Sequence, residues 1–177
     1  MLQTLITSRT RLRLLLKFFL NSSTTSWLRD LEAEFGESTN GIRLELKHLE
    51  DAGMLTSEVN GNKKIYRANT SHPLFGDIHR LLLKHTGIDQ IVDRVAEKLG
   101  GLSQVWLTGA FARGLDNPVI DILLVGEEID TDYLLHLISK VEQVINRKIR
   151  FLILSETEKE NYMTKNPQTL LIWEKLQ

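Results

Sequence analysis

Two clusters of residues in this 177-residue chain have the types and spacing that recognition or catalysis needs. The first is Ser38, Thr39, Asn40, Arg43 and Lys47, short hydrogen-bonding groups followed by two cations on one side of a helix, with Lys63 and Lys64 at a turn just beyond. Such a face can enter a major groove, where Asn reads adenine, Arg reads guanine and Lys neutralises phosphate. The second is the turn Gly109-Ala110-Phe111-Ala112-Arg113-Gly114, followed by Asp121 and, on a later strand, Arg150. Gly109, Arg113, Asp121 and Arg150 are candidates for holding an anion such as a nucleotide. A tight strand-to-strand turn accounts for the same glycines, and a solvated helix face accounts for Arg43 and Lys47 beside Glu45 and Glu50.

Other chemistries are excluded by residue type. The chain has no cysteine, which removes disulfides, thiolate zinc sites, iron–sulfur clusters and a cysteine nucleophile, and fits a reducing cytoplasm. None of the five histidines pairs with another at i, i+4: His79 and His85 fall on different helix faces, and His72 precedes Pro73. There is no P-loop, dinucleotide fingerprint or nucleophile–base arrangement, so neither cofactor nor metal is expected. Hydrophobic residues make up 42% and charged residues 25%, the balance of a folded globular protein. The densest apolar run, Leu14 to Leu20, is interrupted by Lys17 and is too short to span a membrane, so no membrane partner is expected. Residues 1–70 carry 10 Lys+Arg against 8 Asp+Glu and residues 71–177 carry 12 against 15, a slight basic bias in the first part.

The elements that must position these residues are legible as periodicities. Ser8 precedes a helix with Leu12, Leu15, Leu16 and Phe19 on one stripe, ended by Asn21-Ser22-Ser23. Thr25 or Ser26 caps a second helix bearing Trp27, Leu28, Leu31 and Phe35, closed by Gly36. A third starts near Ser38, turns Ile42, Leu46 and Leu49 inward and ends at Gly53. Met54 to Val59 and Lys64 to Ala68 then read as strands joined through Asn60-Gly61. Three short helices and a hairpin predict a winged helix over residues 1–70. Residues 71–87 read as a linking helix with an apolar stripe of Leu74, Phe75, Ile78, Leu81 and Leu82, suited either to packing on a neighbouring domain or to a dimer interface. Ile88, Ile91, Val92, Val95 and Leu99 form a further helix. From Val105 the pattern is strand, turn, strand (Val119 to Val125), helix (Thr131 to about Arg147), strand (Ile149 to Leu154) and helices to the end, with Asn166-Pro167 opening the last. The expected fold class is a two-domain α/β (α+β) chain with a mixed sheet over residues 88–177.

The run Ser38-Thr39-Asn40-Gly41-Ile42 through Leu46-Lys47-His48-Leu49-Glu50-Asp51-Ala52-Gly53-Met54-Leu55 resembles the recognition helix and wing of bacterial arsenical-repressor-like winged helix-turn-helix regulators. The resemblance covers roughly residues 8–70 and implies a sequence-specific regulator that binds double-stranded DNA as a homodimer. The thiolate-based metal sensing of that family is ruled out here.

Gly109 to Gly114 followed by Pro118-Val119-Ile120-Asp121 resembles the minimal nucleotidyltransferase domain of the polymerase-beta-like superfamily. That resemblance implies a Gly-Ser pair, an Arg-Gly pair and Asp-x-Asp on the next strand, whose two carboxylates hold divalent ions against a triphosphate. Here Ala110 stands at the Ser position, Val119 stands at the first carboxylate and only Asp121 remains. Residues 146–154 carry Arg147, Lys148 and Arg150 and no acid. The expectation is therefore a chain that is not an enzyme, whose second domain is an inactive relative serving dimerisation or the binding of a nucleotide or protein partner. A minimal nucleotidyltransferase and a protein-interaction module without DNA binding are the alternatives.

Overall fold

An apolar run too dense for a one-sided helix builds the centre of the N-terminal part. In the computed structural model, which describes residues 2–175, α1 (Leu2–Leu5) is followed by α2 (Arg9–Leu15), which widens into a π-helical turn over Leu16–Leu20. Ser8 caps α2 by accepting from the Arg11 N–H, a bond worth about 1 kcal/mol. Leu12, Leu14, Leu15, Leu16, Phe18, Phe19 and Leu20 are all buried. The widened turn, tolerated where packing offsets its poorer geometry, buries Lys17 as well, and its Nζ donates to Glu34 Oε1 at 2.6 Å.

The next segment departs from expectation. Thr25–Trp27 forms a short strand, β1, and the helix α3 begins only at Leu28 (Leu28–Phe35), with Trp27 as its cap and no capping side chain. Neither Thr25 nor Ser26 caps it, because both are drawn into a pairing with a strand some forty residues later. The left-handed residue closing α3 is Gly36. α4 (Thr39–Asp51) buries Ile42, Leu46 and Leu49. β2 (Leu55–Asn60) and β3 (Lys63–Ala68) form a hairpin with the two-residue loop Gly61-Asn62. Gly61 takes φ 59° there, the backbone state that a tight hairpin loop demands. The sheet order is β1-β3-β2, antiparallel throughout, with Ser26 opposite Tyr66 and Trp27 opposite Ile65. α5 (Phe75–Thr86) follows.

The chain divides into two units, Met1–His85 and Thr86–Gln177, giving a mixed α and β fold with two sheets. In the second unit α6 (Ile88–Ile91) runs into a π turn over Val92–Ala96. Then come β4 (Leu102–Thr108), α7 (Gly109–Ala112), β5 (Val119–Gly126), α8 (Thr131–Ile145), β6 (Lys148–Leu154), α9 (Glu156–Lys165) and β7 (Leu170–Glu174). The sheet order is β6-β5-β4-β7, with β5 and β6 parallel across α8 and the other pairs antiparallel. Asp130 caps α8 and the Ser155–Glu158 capping box starts α9. The expected terminal helix is a strand instead: Asn166 closes α9, and residues 170–174 pair with β4. A run of Leu170-Leu171-Ile172-Trp173 after a proline suits a sheet edge better than a helix. The expectation of helix to the end also covers residues 176 and 177, which lie outside the described residues. Among the described residues no helix is long and apolar enough to cross a membrane.

α2 is tied to its neighbours through two carboxylates. Glu45 accepts from Ser8 Oγ at 2.7 Å and from Arg11 Nε at 2.8 Å, and Glu37 accepts from Thr10 Oγ1 at 2.5 Å and Arg13 Nη1 at 2.8 Å. Burial raises both carboxyls, but the hydrogen bonds and the arginine charges outweigh it and hold both below the ordinary value of 4.5. A carboxyl depressed on folding contributes stability above its unfolded pKa, and that contribution disappears as pH falls through the folded one. The first unit should therefore lose thermal stability as pH drops below about 4.5. Glu45→Gln should start from a lower melting temperature at neutral pH and show a shallower loss, as read by circular dichroism melts across that range.

Candidate functional site

Burial of Ile42, Leu46 and Leu49 sets the rotation of α4, and the sequence then dictates what faces solvent. Ser38 is its extended cap residue and is exposed, Thr39 is half-buried, and Asn40, Arg43 and Lys47 are exposed. Among the described residues neither Arg43 nor Lys47 is engaged in an ion pair. The hairpin brings Lys63 and Lys64 to the same opening. Arg43, Lys47, Lys63 and Lys64 all line one groove of about 810 Å³ between α4 and the hairpin.

The groove also contains residues that the sequence did not single out. Trp27 and Arg29 line it, with the Lys63 ammonium 4.3 Å and the Arg29 guanidinium 5.7 Å from the Trp27 ring centre. Lys63 reaches that ring because Trp27 pairs with Ile65, making Lys63 its diagonal neighbour across the strands. A three-residue strand leaves too little alternation for sequence to separate it from a helix start. The groove is not uniformly basic, since Glu50 and Asp51 line it too. Lys64 Nζ donates to Glu50 at 2.6 Å, and Ser57 donates to the same carboxylate. The Lys64 ammonium, then the Ser57 hydroxyl, hold the Glu50 carboxyl below its usual range, and Glu50 in turn raises Lys64. Lys64 is thus paired within the protein, while among the described residues Arg43, Lys47 and Lys63 have no carboxylate partner.

In the second unit, Gly109 starts α7 and Arg113 lies exposed at its end. Asp121 on β5 is in register with Thr108 on β4 and Arg150 on β6, so all three share a sheet face. Arg150 Nε donates to Asp121 Oδ1 at 2.5 Å. Gly109 has φ 61°, and a Cβ there would stand 2.6 Å from Asp121 Oδ2, so a side chain at this position would crowd the carboxylate where it now lies. Two further basic residues of this region are paired: Arg147 with Asp116 at 2.7 Å and Lys148 with Glu142 at 2.8 Å. Among the described residues no group of three or more His, Asp or Glu side chains is placed to hold a metal ion. A lone carboxylate already held by an arginine does not fit a two-ion clamp, which needs several hard oxygen ligands.

No family model matches the chain, and no curated protein does. Among solved structures the chain is similar to a "putative nucleotidyltransferase" from Sulfolobus solfataricus. The two are 26% identical, the match covers 55% of this chain and 86% of that one, and the TM-score is 0.39. The expectation of a chain that is not an enzyme is corrected by that match, which is to a protein described as a "putative nucleotidyltransferase". At that TM-score no residue role is carried across.

The Asp121–Arg150 pair is lopsided: the Arg150 side chain is 75% exposed and that of Asp121 18%. Removing the exposed partner strands a half-buried carboxylate, whereas removing the carboxylate leaves an arginine in water. Arg150→Ala should therefore lower the melting temperature of the second unit more than Asp121→Asn does, as measured by thermal denaturation at neutral pH. Equal, unchanged melting temperatures would show that the pair contributes nothing.

Proposed function

We propose that the first unit is a winged helix that binds double-stranded DNA sequence-specifically, and that the protein is a cytoplasmic transcriptional regulator acting as a homodimer. The reading rests on one observation: the cations of α4 and of the hairpin open onto a single groove, with Arg43, Lys47 and Lys63 unneutralised around it. The element order supports it, a helix, a short strand, two helices and a hairpin, with α4 as the helix that enters the major groove. Asn40 and Arg43 read base edges. Lys47, Lys63 and Arg29 hold phosphates, and Ser38 and Thr39 contact the backbone at the helix start.

Because Glu50 and Asp51 share the groove, one copy binds weakly, and two copies on two half-sites supply the missing affinity. The second unit provides the place for a nucleotide or protein partner, at the turn from Gly109 through Arg113 and the exposed Arg150.

The test is recovery of sheared genomic DNA by the purified protein at moderate salt, followed by sequencing and titration of the enriched site. A near-palindromic site whose affinity falls steeply with salt is the expected result. Arg43→Ala should relax preference at one base position, at a cost of roughly 1–3 kcal/mol, and Lys47→Ala should weaken all sequences alike and reduce the salt slope by about 1. Glu50→Gln should tighten binding by releasing Lys64. Random fragments with no salt dependence would overturn the reading.

A further inference from the structure

The Trp27 ring gathers two cations from distant stretches of chain. Lys63, the first residue of β3, brings its ammonium to 4.3 Å from the ring centre, and Arg29, in the first turn of α3, brings its guanidinium to 5.7 Å. Trp27 can meet both because it ends β1 and opens α3: its backbone is in register with Ile65 of β3 and leads directly into the helix. The indole is half-buried, whereas Arg29 and Lys63 are exposed. The groove thus holds its lysines in two different ways. Lys64 is bound by the Glu50 carboxylate, which offsets its charge. Lys63 is bound by a ring with no net charge, whose quadrupole attracts a cation without cancelling it. Among the described residues neither Lys63 nor Arg29 has a carboxylate partner. Two like charges drawn to one ring repel each other, and an anion beside both relieves that repulsion.

We infer that Trp27, Lys63 and Arg29 form one seat for phosphoryl oxygens, with the two cations as its binding groups and Trp27 as its positioning residue. The guanidinium offers a planar fork that matches two oxygens of a phosphate, and the ammonium adds a compact charge beside it. A free lysine or arginine loses much of its side-chain freedom when it grips a ligand. Resting on the indole, both side chains give up part of that freedom before the ligand arrives. The inference rests on the DNA reading of this groove and deepens it: the occupant is the phosphodiester backbone of the duplex, held beside the helix α4 that meets the bases. Phosphates are the same in every sequence, so Trp27 sets affinity and salt dependence and leaves base preference to Asn40 and Arg43.

The test uses two polyanions, duplex DNA and inorganic polyphosphate, which has phosphoryl groups but no bases. Binding to the full chain is measured over a range of salt, with a melt of each variant to check folding. Trp27→Leu should weaken both ligands several-fold and reduce the salt slope by about 1 to 2, although the substitution removes no charge. Trp27→Phe, a weaker partner for a cation, should fall between Trp27→Leu and the native chain. Lys63→Ala should cost less in the Trp27→Leu background than in the native chain, because the lysine is no longer positioned there. With Trp106→Phe and Trp173→Phe leaving Trp27 as the sole indole, either polyanion should change its emission. A Trp27→Leu variant with native affinity and salt slope, strictly additive effects of Trp27→Leu and Lys63→Ala, a silent Trp27, or no binding of polyphosphate at low salt would each overturn the seat. A Trp27→Leu variant that lost melting temperature and base preference together, at an unchanged slope, would show a ring that only supports the fold and would overturn it too. Polyphosphate that meets these expectations beside duplexes that do not bind would sink the regulator reading and leave the seat standing.

Discussion

The rotation of α4 about its own axis is the constraint on which the candidate interface depends. Ile42, Leu46 and Leu49 are each worth roughly 1.5–3 kcal/mol when withdrawn from water, and all three are buried. Turning the helix by one residue would expose part of that stripe and force Arg43 or Lys47 into the core, and an unpaired buried charge costs several kcal/mol more. One rotational setting therefore dominates, and it presents Asn40, Arg43 and Lys47 without any interaction of their own to hold them there. The hairpin depends on the same core, since Leu55 and Tyr66 are buried with it.

Charge in this unit is managed by pairing as much as by position. Glu34, Glu37 and Glu45 take up Lys17, Arg13 and Arg11 on the side of α2, and Glu50 takes up Lys64 within the groove. The net basic bias of the first seventy residues is small. The groove nonetheless holds more cations than carboxylates, with Arg29, Arg43, Lys47, Lys63 and Lys64 against Glu50 and Asp51. The distribution of charge, and not its sum, is what distinguishes this surface.

In the second unit the corresponding constraint is the parallel register of β5 and β6. Side chains of a strand alternate between faces, so a slip of one residue would turn Asp121 and Arg150 to opposite sides. The observed register puts them on one face and close enough to bond, and the left-handed Gly109 clears space for the carboxylate. The carboxylate, the arginine and the glycine come from three different stretches of chain and meet at one place.

Periodicity by itself determined the inward face of α4, the glycine stops at Gly36 and Gly53, and the hairpin at Gly61, because these are local matters of side-chain spacing and backbone freedom. It also exposed Arg43 and Lys47, since a helix whose buried stripe is known has a known outer face. Tertiary structure alone decided the rest. Thr25–Trp27 became a strand, and residues 170–174 a sheet edge, through hydrogen bonds to partners forty to seventy residues away, against which local propensity counts for little. That pairing moved Trp27 from a presumed core stripe to the groove beside Arg29 and Lys63. The pairing of Asp121 with Arg150 was readable from their places on adjacent strands, whereas the neutralisation of Lys64 by Glu50 was a question of which charges end up within hydrogen-bond reach, and distance in space is what a linear sequence does not carry.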